Sequence, residues 1–361
     1  MKVALIVLDA FSSRTVGPDT TPMLWSLAHE GGWNPEGGIG ELTGATYPNH
    51  ATFVTGLSTI EHGVITNRVR VDGRWVSSAV TGPVGVDDTQ PVSTLFDACH
   101  AAGLRSVAAV GDHNLIGVCA AQRSDACWPP TPSIPVGTRR NIGGYIADDE
   151  VVGAASRLDV ASADFVFVQL DSVDGARHHF GADSAEALAQ ARLTDASLAS
   201  LLELLRPCWD DSVVMVVSDH DQEDIGPNAP IDLTAHLHDL TEDGQEVEVE
   251  NQGTAALVVG EVRQSRLLAI PGIEGVRSLD RRHHVVWGQP GQSFGAEASK
   301  LAADHGSPRT TGQLALVAGG HPAVRPLSNL VCSARPAATA WARWVAELLG
   351  VDLPAPTLTP A

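Results

Sequence analysis

Short, strongly apolar runs recur along the chain and are separated by longer segments in which apolar and polar residues mix. Each run is a nearly continuous series of Val, Ile, Leu, Ala or Phe residues with the length of a strand. Runs of this kind are typical of strands that are buried on both faces of a parallel sheet. The pattern predicts strands at residues 3–8, 106–110, 165–170, 213–217, 255–259 and 314–318.

Helical patterns with recognisable ends lie between the predicted strands. Thr21 precedes Pro22 at the start of one helix, and Gly31 and Gly32 follow its end. A polar residue before a proline and glycines after the last turn are typical helix boundaries. The alternation of strand and helix predicts an α/β fold with a doubly wound, mostly parallel sheet sandwiched by helices. Comparable patterns predict further helices near residues 92–102, 184–205, 296–303 and 337–349.

The segment from about residue 222 to 282 follows this alternation poorly. It combines a proline-containing turn, a very acidic stretch at residues 242–250 and one clear strand. We therefore predict a single domain over residues 1–361 with a small inserted cap, or lid, over about 222–282, to which residues 69–86 contribute. Residues 352–361 are rich in Pro and Thr, and we expect a loosely ordered tail there.

The charge of the chain narrows the classes of ligand. Its 361 residues include 23 Lys and Arg against 43 Asp and Glu, a net charge of −20 with histidine neutral. Binding to a nucleic-acid polymer requires clusters of basic residues, so we expect no such partner. Lys2 and Lys300 are the only lysines, which excludes a Walker-type phosphate loop. An anionic substrate would need positive charge from another source, and a metal ion is the obvious candidate.

Neither the first apolar run nor the cysteines indicate export or membrane insertion. The run at residues 3–8 stops at Asp9 with no small-residue cleavage site, so we interpret it as a buried strand. No apolar run approaches the roughly 18 residues that a membrane span requires, and we expect no membrane partner. The five cysteines include no C-x-x-C pair, which favours reduced thiols in a cytoplasmic protein.

Three of the predicted strands end in aspartate, at Asp9, Asp171 and Asp219. In open α/β sheets, ligands bind beyond the carboxyl ends of the strands, so these side chains would lie at the mouth of a site. One such residue could equally cap the following helix. Three of them, with histidines close behind two, favour a site over capping.

The histidines suggest what this site binds. His220 follows Asp219 directly, and His178 comes four residues after Asp174, so one helical turn would place those two side chains on one face. His305 lies just before the last apolar run. Mixed sets of aspartate and histidine suit zinc and similar transition-metal ions.

A hydroxyl nucleophile is available in the segment between Gly44 and Gly56. Pro48 favours a helix that begins just beyond Thr46 and runs to Gly56. A hydroxyl at a helix N-terminus faces unpaired N–H groups and the positive end of the helix dipole, which suits a phosphate. The local sequence leaves two roles open for Thr46, as a nucleophile or as a residue that only caps the helix.

At this point the residues resemble the alkaline phosphatase superfamily and, within it, the type I phosphodiesterase/nucleotide pyrophosphatase family. The resemblance implies an alkaline phosphatase-like fold. It rests on segments spread from the N-terminus to about residue 320, which read VLDAF, TPMLWSLAHEGG, TYPNHATFVTGLSTIEHGVITN, DGARHHFG, VVSDHD and DHGSPRTTGQLALVAGG.

The resemblance implies a site with two divalent metal ions, usually zinc, with manganese or iron as alternatives. It also implies that Thr46 forms a phospho-threonine intermediate and that Asn67 contacts a non-bridging phosphoryl oxygen. Two metal ions can clamp the attacking and leaving oxygens of an in-line displacement. The implied ligands are Asp9, Thr46, Asp219 and His220 for one ion, and Asp174, His178 and His305 for the other.

The sequence departs from the family pattern near these ligands. Asp221 stands where the family usually has glycine after the Asp-His pair, and an added carboxylate there could alter metal affinity. His179 follows His178, so the ligand assignment rests on the D-x-x-x-H spacing. Asp171 lacks that spacing, and we expect it to support a ligand rather than bind a metal. We expect Arg309, just after the last histidine motif, to be solvated.

Three substrate classes are open. Thr46 with Asn67 favours phosphodiesters or nucleotide pyrophosphates over monoesters. Phosphonate hydrolases of the phosphonoacetate hydrolase type look similar around the threonine, but that subgroup is associated with lysines that bind the substrate carboxylate. Lys2 and Lys300 lie away from the motifs, so this activity ranks second and phosphomonoester hydrolysis third. We expect a small phosphorylated or phosphonate substrate, and the sequence predicts no oligomeric state.

Two alternative functions lie outside these substrate classes. Residues 291–295 match the G-x-S-x-G pattern of serine hydrolases, centred on Ser293. Pro290 interrupts the approach to this turn, however, and the adjacent Asp304 and His305 cannot easily form a relay. The second alternative is a non-catalytic relative that only binds a nucleotide, and the retention of all expected ligand types argues against it.

Overall fold

Strands and helices alternate through most of the molecule. The computed structural model describes residues 1–71, 74–77, 92–240, 246–298 and 300–353. In this part of the chain the strands are β1 (Lys2–Leu8), β2 (Gly32–Trp33), β3 (Gly38–Ile39), β4 (Arg68–Val71), β5 (Arg74–Ser77), β6 (Ser106–Val110), β7 (Ala126–Trp128), β8 (Phe165–Leu170), β9 (Ser212–Val217), β10 (Glu223–Asp224), β11 (Glu248–Gln252), β12 (Ala255–Val259), β13 (Ile273–Ser278), β14 (His283–Gly288), β15 (Ala303–Asp304), β16 (Gly312–Gln313) and β17 (Ala315–Ala318).

The helices differ widely in length, from single turns to one of 21 residues. In the same described residues they are α1 (Pro22–Glu30), α2 (Thr46–Thr55), α3 (Thr59–His62), α4 (Leu95–Ala101), α5 (Leu115–Val118), α6 (Asp148–Arg157), α7 (Ser172–Phe180), α8 (Ala185–Leu205), α9 (Leu237–Leu240), α10 (Gln264–Leu268), α11 (Gly295–Ala298), α12 (Val324–Ser333) and α13 (Ala338–Leu349).

Strand β1 lies at the centre of a mostly parallel sheet. The strand order is β2-β17-β9-β1-β8-β6-β7, and β1 pairs in parallel with both β8 and β9. Val3, Leu5 and Val7 point into an apolar core that includes side chains of α2, α12 and α13. Ile6 and Leu8 point into a second core, with side chains of α1, α6 and α8. Because both faces are covered, these strands are apolar at successive positions, and the predicted fold class is confirmed.

The apolar run at residues 314–318 has the pattern of a parallel strand, but the strand found there, β17, is antiparallel to its neighbours. Strand β17 pairs antiparallel with β9 on one side and with β2 on the other. The chain enters β17 from the loop that contains His305, which lies at the carboxyl edge of the parallel strands. A strand that starts at that edge must run in the opposite direction. Its apolar pattern is the same because it is buried as deeply as its neighbours.

A second expectation fails for the apolar run at residues 255–259. The run forms β12, which belongs to a separate antiparallel sheet with the order β11-β12-β14-β13. Ala256 and Val258 pack into one apolar cluster, whereas Leu257 packs into another that includes Leu42. Burial on both faces therefore gave β12 the appearance of a central parallel strand.

The helix predictions err at one place and omit several of the helices in the described residues, of which α6 and α12 are the longest. The predicted helix at residues 296–303 is wrong, because α11 ends at Ala298 and Ala303 already belongs to β15; residue 299 lies outside the described residues. The structure adds α6, which begins with three acidic residues, and α12, which follows the last strand.

The predicted cap is only partly covered by the described residues. Strands β11, β12 and β13 lie within residues 222–282, and β14 follows directly at His283–Gly288. The strands β4 and β5 form an antiparallel pair. Residues 72–73 and 78–86 of the predicted lid, residues 242–245 of the acidic stretch and residues 354–361 of the tail lie outside the described residues. The division into a domain and a cap stays a prediction.

The carboxyl ends of three neighbouring strands carry the aspartates that the sequence analysis singled out. Asp9 follows β1, Asp171 follows β8, and Asp219 lies two residues beyond β9. Because these strands are parallel neighbours, the three side chains reach the same edge of the sheet. All three are at most 2% exposed.

Two further expectations concern the membrane and the thiols. In the described part of the chain, no helix has the length and apolar character of a membrane span. All five cysteines are free thiols, of which Cys99 and Cys119 are buried and Cys332 is exposed.

Candidate active site

Thr46 is the first residue of α2, and its hydroxyl group does not cap that helix. The N-cap position is Ala45, and no side chain caps the helix from there. Thr46 is 6% exposed, and its Oγ1 lies 3.1 Å from Nε2 of His220. The hydroxyl is therefore directed at the carboxyl edge of the sheet. Of the two roles left open by the sequence, this geometry favours the nucleophile.

Asn67 occupies the capping position that Thr46 leaves free. Its Oδ1 accepts a hydrogen bond of 2.9 Å from the main-chain N–H of Tyr47, in the first turn of α2. This bond satisfies one of the unpaired donors of the helix N-terminus. It also fixes the Asn67 side chain beside Thr46, where both residues line the same cavity.

A first cluster of buried Asp and His side chains lies beside the Thr46 hydroxyl. His220 donates its Nδ1 proton to the main-chain carbonyl of Asp221 at 3.1 Å, so Nε2 carries a lone pair. This nitrogen lies 3.6 Å from Asp9 Oδ1 and 3.3 Å from Asp219 Oδ2. His50 Nδ1 lies 3.4 Å from the same Asp219 oxygen. Ligand atoms of Asp9, His50 and Asp219 lie within 4.8 Å of one another.

Among the described residues, two carboxylate oxygens of this cluster are buried without a hydrogen-bond partner, Asp9 Oδ1 and Asp219 Oδ2. Their companion oxygens are satisfied: Gln169 Nε2 donates to Asp9 Oδ2 at 2.7 Å, and the N–H groups of Ala10 and His220 donate to Asp219 Oδ1. Burial and the charge of Asp219 raise the pKa of Asp9 well above its usual value. A divalent cation between the two free oxygens would bind both and remove their repulsion.

A second cluster begins on α7, where Asp174 and His178 are four residues apart. His178 donates its Nδ1 proton to the carbonyl of Ala303 at 2.8 Å, and its Nε2 lies 3.3 Å from Asp174 Oδ1. Gln222 Nε2 donates to the same oxygen at 2.6 Å. Burial would lower the pKa of His178, but the carboxylates of Asp174 and Asp304 outweigh it and raise this pKa to about 10. The surroundings thus favour a positive charge between His178 and Asp174.

His305 connects the two clusters. Its ring centroid lies 4.0 Å from that of His220 and 5.2 Å from that of His178. Ligand atoms of Asp174, His220 and His305 lie within 4.8 Å of one another, and so do those of His178, Asp304 and His305. Burial and the two neighbouring imidazoles hold the pKa of His305 well below its usual value. A neutral imidazole with Nδ1 free of any partner can act as a metal ligand.

The structure brings all the sequence-predicted ligands into one continuous region. Free buried oxygens and imidazole lone pairs that face carboxylates are the donor set that a divalent metal needs, so the residues fit such ions. The grouping by distance differs from the predicted one, because His50 joins the first set and His220 lies close to both. The predicted ligands are Asp9, Thr46, Asp174, His178, Asp219, His220 and His305, and their division between two ions stays a prediction.

Sequence analysis did not identify His50 and Gln169, which are fully buried in this region. His50 comes four residues after Thr46 on α2, and this spacing is the signal that could have identified it. Gln169 is a polar residue within the apolar run of β8, and it donates to Asp9 and Asp171 at 2.7 and 3.3 Å. A buried amide in a central strand is the second signal.

Asp171 lies behind the ligand clusters. Its oxygens accept hydrogen bonds from Asn141 Nδ2 at 2.7 Å and from Gln169 Nε2 at 3.3 Å. Among the described residues, none of the close Asp–His groups includes it. This position matches the supporting role expected for Asp171, and it leaves the D-x-x-x-H pair as the candidate ligands.

Asp221 is directed away from the candidate metal ligands. Its Oδ1 lies 2.6 Å from the guanidinium of Arg177, and its Oδ2 accepts a hydrogen bond of 3.1 Å from Ser12 and lies 3.2 Å from Arg14. Arg177 is 3% exposed and also donates to the carbonyl groups of Ala10 and Ala182. The added carboxylate therefore forms a buried ion pair instead of extending the metal site.

Arg309 contradicts the expectation of a solvated side chain. Its guanidinium contacts Glu223 at 2.6 Å, Glu274 at 2.6 Å and the carbonyl of Gly288 at 3.0 Å. Glu274 and Gly288 belong to β13 and β14, whereas Glu223 lies on β10, three residues after His220. Arg309 is held by two carboxylates and so connects the four-stranded sheet to the His305 loop.

Ser293 has no surroundings of a serine nucleophile. It is 1% exposed, and its Oγ has no hydrogen-bond partner in the described part of the chain. A relay needs a histidine within hydrogen-bond reach of the hydroxyl. The G-x-S-x-G pattern at residues 291–295 therefore forms a turn and not a nucleophile elbow.

A cavity of about 220 Å³ opens over the Thr46 hydroxyl. Thr46, Asn67, Asp174, His178 and His305 line part of it. Asp112, Asp171, Tyr145 and Leu301 are among the residues of the remainder, and neither Lys nor Arg is among the described lining residues.

The sequence model for the type I phosphodiesterase / nucleotide pyrophosphatase family matches residues 3–282. The chain belongs to this family. Its members are hydrolases of phosphoesters, which makes this chain a phosphoester hydrolase. No curated protein sequence matches the chain significantly.

Solved structures of similar proteins share the alkaline phosphatase-like fold. An inactive variant of murine ectonucleotide pyrophosphatase/phosphodiesterase 5 in complex with AMP has a TM-score of 0.73 at 15% identity, with 98% of this chain and 96% of that chain covered. The human protein of the same name has a TM-score of 0.72 at 16% identity, with 98% and 96% covered. Phosphonoacetate hydrolase from Sinorhizobium meliloti 1021, in complex with phosphonoacetate, has a TM-score of 0.65 at 14% identity, with 97% and 96% covered.

The buried pair of Arg177 and Asp221 generates a prediction about stability. Arg177→Met removes the buried partner of Asp221 and leaves only the largely exposed Arg14 beside this carboxylate, so we expect the free energy of unfolding to fall by about 3–5 kcal/mol. Replacing both partners, as in Arg177→Met with Asp221→Leu, should recover part of this loss because no unpaired charge remains. Urea unfolding in the presence of a chelator measures the effect without a contribution from bound metal.

The matched control is Arg206→Met, which removes an arginine from a largely exposed pair with Glu203. Exposed ion pairs contribute little to stability, so this variant should unfold like the wild type. Equal losses in the two single variants would show that burial of the Arg177 pair has no special effect.

Proposed function

We propose that this protein hydrolyses phosphodiester or nucleotide pyrophosphate bonds of small molecules, and that Thr46 is the nucleophile. The observation that carries the proposal is the position of the Thr46 hydroxyl, which is buried at a helix N-terminus and directed at His220 among unneutralised carboxylates. A hydroxyl in that setting serves phosphoryl transfer better than it serves packing, because the first turn of a helix attracts phosphate oxygens.

The proposal includes two divalent metal ions. Zinc suits the mixed carboxylate and imidazole donors best, with manganese or iron as alternatives. When bound, such ions supply positive charge that favours the ionised Thr46 hydroxyl and neutralises charge on the phosphoryl oxygens. Asp9, Thr46, Asp219 and His220 would hold one ion, and Asp174, His178 and His305 the other.

Thr46 Oγ1 attacks phosphorus after its proton has passed to solvent. The bond from Oγ1 to phosphorus forms as the bond from phosphorus to the leaving oxygen breaks, and that oxygen takes a proton from water. Asn67 donates from Nδ2 to a non-bridging oxygen, since its Oδ1 is already engaged by Tyr47. Phosphoryl transfer depends mainly on positioning and charge neutralisation, and these side chains supply the positioning.

Water completes the turnover. It attacks the phosphorus of the phospho-threonine on the side opposite Thr46 Oγ1, and the bond to Oγ1 breaks. Thr46 takes back a proton from the attacking water, and the product leaves as a phosphate monoester. A covalent intermediate of this kind divides one difficult displacement into two easier ones.

The lining of the cavity ranks the substrates. A second anionic group on the substrate would meet Asp112 and Asp171 and would find no Lys or Arg among the described lining residues. This supports diesters with a neutral leaving group as the first choice, ahead of pyrophosphates. Phosphonoacetate carries a carboxylate, so phosphonate hydrolysis stays the alternative, although a phosphonoacetate hydrolase shares the fold.

The same reasoning extends to partners and location. AMP bound to the inactive ectonucleotide pyrophosphatase/phosphodiesterase 5 supports a small phosphorylated molecule as the partner here. The net charge of −20 disfavours a nucleic-acid polymer. A cytoplasmic location is proposed on the free thiols alone.

Replacement of Thr46 tests the nucleophile. Thr46→Ala removes the attacking oxygen, so we expect turnover of bis(4-nitrophenyl) phosphate to fall by about 10⁴-fold or more. Thr46→Ser keeps a hydroxyl and should retain part of the activity. Release of 4-nitrophenolate measured by absorbance reports both.

Ser293→Ala is the control for the serine-hydrolase alternative and should leave the rate unchanged. Full activity in Thr46→Ala together with loss of activity in Ser293→Ala would show that Ser293, and not Thr46, is the nucleophile.

Metal removal tests the cofactor. Dialysis against a chelator should abolish the activity, and zinc should restore it, because the buried carboxylates then regain their compensating charge. Elemental analysis of the purified protein should find about two metal ions per chain. Undiminished turnover by protein stripped of metal would contradict this part of the proposal.

A comparison of substrates tests the ranking. We expect kcat/KM to be highest for an aryl phosphodiester, lower for a dinucleotide pyrophosphate and an aryl monoester, and lowest for phosphonoacetate, with a difference of at least about tenfold between the first and the last. Parallel rate measurements on the four compounds give the order. Preference for phosphonoacetate would make the phosphonate hydrolase the better assignment.

A further inference from the structure

The turn between β11 and β12 reaches from the four-stranded sheet to the edge of the active site. This turn consists of residues 252–254, and we refer to it as the hairpin turn. On one side it contacts Asn67, and on the other it contacts the loop that carries His305. A segment far from Thr46 in the sequence thus touches two elements of the proposed machinery.

Gln252 forms the contact with Asn67. Its side chain is buried, with 7% exposure, and its Oε1 accepts a hydrogen bond of 2.7 Å from the main-chain N–H of Asn67. The two residues are 185 positions apart in sequence. A buried amide that accepts such a short hydrogen bond restricts the position of the Asn67 backbone.

The hydrogen bond to Gln252 also restricts where the side-chain amide of Asn67 can lie. Its Oδ1 accepts from the main-chain N–H of Tyr47 at 2.9 Å. With the main-chain N–H and Oδ1 both engaged, Nδ2 is the group left to face the cavity that Asn67 lines. In the described part of the chain, Gln252 and Tyr47 together therefore fix the Asn67 amide at the cavity that Thr46 also lines.

A second contact fixes the strand that carries Gln252. Arg68, the neighbour of Asn67, donates to both oxygens of Glu250 at 3.1 and 3.3 Å. Glu250 is 3% exposed and lies two residues before Gln252, on the same face of β11. The segment at Asn67 and Arg68 is thus attached to β11 at two successive inward-facing positions.

The other side of the hairpin turn is packed tightly against the His305 loop. Thr254 N–H donates to the His305 carbonyl at 2.9 Å, and Ser307 N–H donates to Thr254 Oγ1 at 3.1 Å. Gly253 has φ +60°, and a Cβ atom there would lie 2.3 Å from the His305 carbonyl oxygen. The absence of a side chain is what allows this approach. The hairpin turn is therefore held against the His305 loop by close backbone packing.

We infer that Gln252 is a positioning residue that acts through Asn67, so that the four-stranded sheet orients the group that binds the phosphoryl oxygen. The inference rests on the proposed function, in which Asn67 makes that contact. Gln252 itself touches neither the cavity-facing Nδ2 nor Thr46 in the described residues. Its effect on the rate must therefore pass through Asn67.

The test is a double-mutant cycle on bis(4-nitrophenyl) phosphate with metal-replete protein. Gln252→Leu removes the acceptor at similar volume, and we expect kcat to fall about tenfold, as for other groups that orient a ligand-contacting residue. Gln252→Glu keeps an acceptor oxygen and should recover much of this loss. Asn251→Leu, at an exposed neighbour on the same strand, should have no effect.

The decisive variant is Asn67→Ala with and without Gln252→Leu. If Gln252 acts through Asn67, the double variant is as active as Asn67→Ala alone. Multiplied losses, or a Gln252→Leu variant with wild-type kcat, would overturn the inference while leaving the role of Asn67 intact.

An Asn67→Ala variant with undiminished activity would instead remove the proposed role of Asn67, and the inference would fail with it. Thermal unfolding and metal content identify any variant that fails to fold. Should Gln252→Leu fail in this way, Gln252→Ala takes its place in the cycle, with the same expected and overturning results.

Discussion

Several carboxylates are buried together at the carboxyl edge of the central sheet, and the site depends on the charge that compensates them. Asp9, Asp171 and Asp219 are brought to this edge by three adjacent parallel strands and are almost completely buried. Burial and mutual repulsion raise the pKa of Asp9 and of Asp171 well above their usual values. Burying several carboxylates together costs free energy, so the arrangement is stable only where cations or hydrogen-bond donors contact the oxygens. The unpartnered oxygens of Asp9 and Asp219 mark where donors from the protein are missing.

The imidazoles around these carboxylates are oriented by main-chain carbonyl groups. His178 and His220 each donate from Nδ1 to such a carbonyl group, which leaves Nε2 facing carboxylate oxygens. Such contacts orient a metal-binding histidine and fix its tautomer. Main-chain carbonyl groups are held by the fold itself, so the strand ends and α7 determine the ring orientations. The Thr46 hydroxyl enters this set from α2, whose first turn is satisfied by Asn67 and not by Thr46. The proposed nucleophile and the candidate ligands are thus positioned by separate elements around one edge.

Local patterns predicted much of this from the sequence. Asp9 and Asp219 follow apolar runs directly, and Asp174 and His178 have the spacing of one helical turn, so strand and helix geometry alone brings them to a site. The family resemblance added the roles of Thr46 and Asn67. The sequence did not predict the features that depend on contacts between distant segments. The direction of β17 follows from where the chain enters it, and the apolar pattern of β12 reflects burial in a different sheet. Gln252 lies 185 residues from Asn67, and no local pattern relates the two.

The charged residues that did not join the site show how an acidic protein can hold an anionic substrate. Asp221 pairs with Arg177, and Glu223 and Glu274 share Arg309, so these basic side chains are engaged in structural pairs. No Lys or Arg is among the described residues that line the cavity. In the proposed function, bound cations supply the positive charge at the phosphorus. A substrate with one negative charge would then suit the site better than one with further anionic groups, which would face Asp112 and Asp171 in the cavity wall.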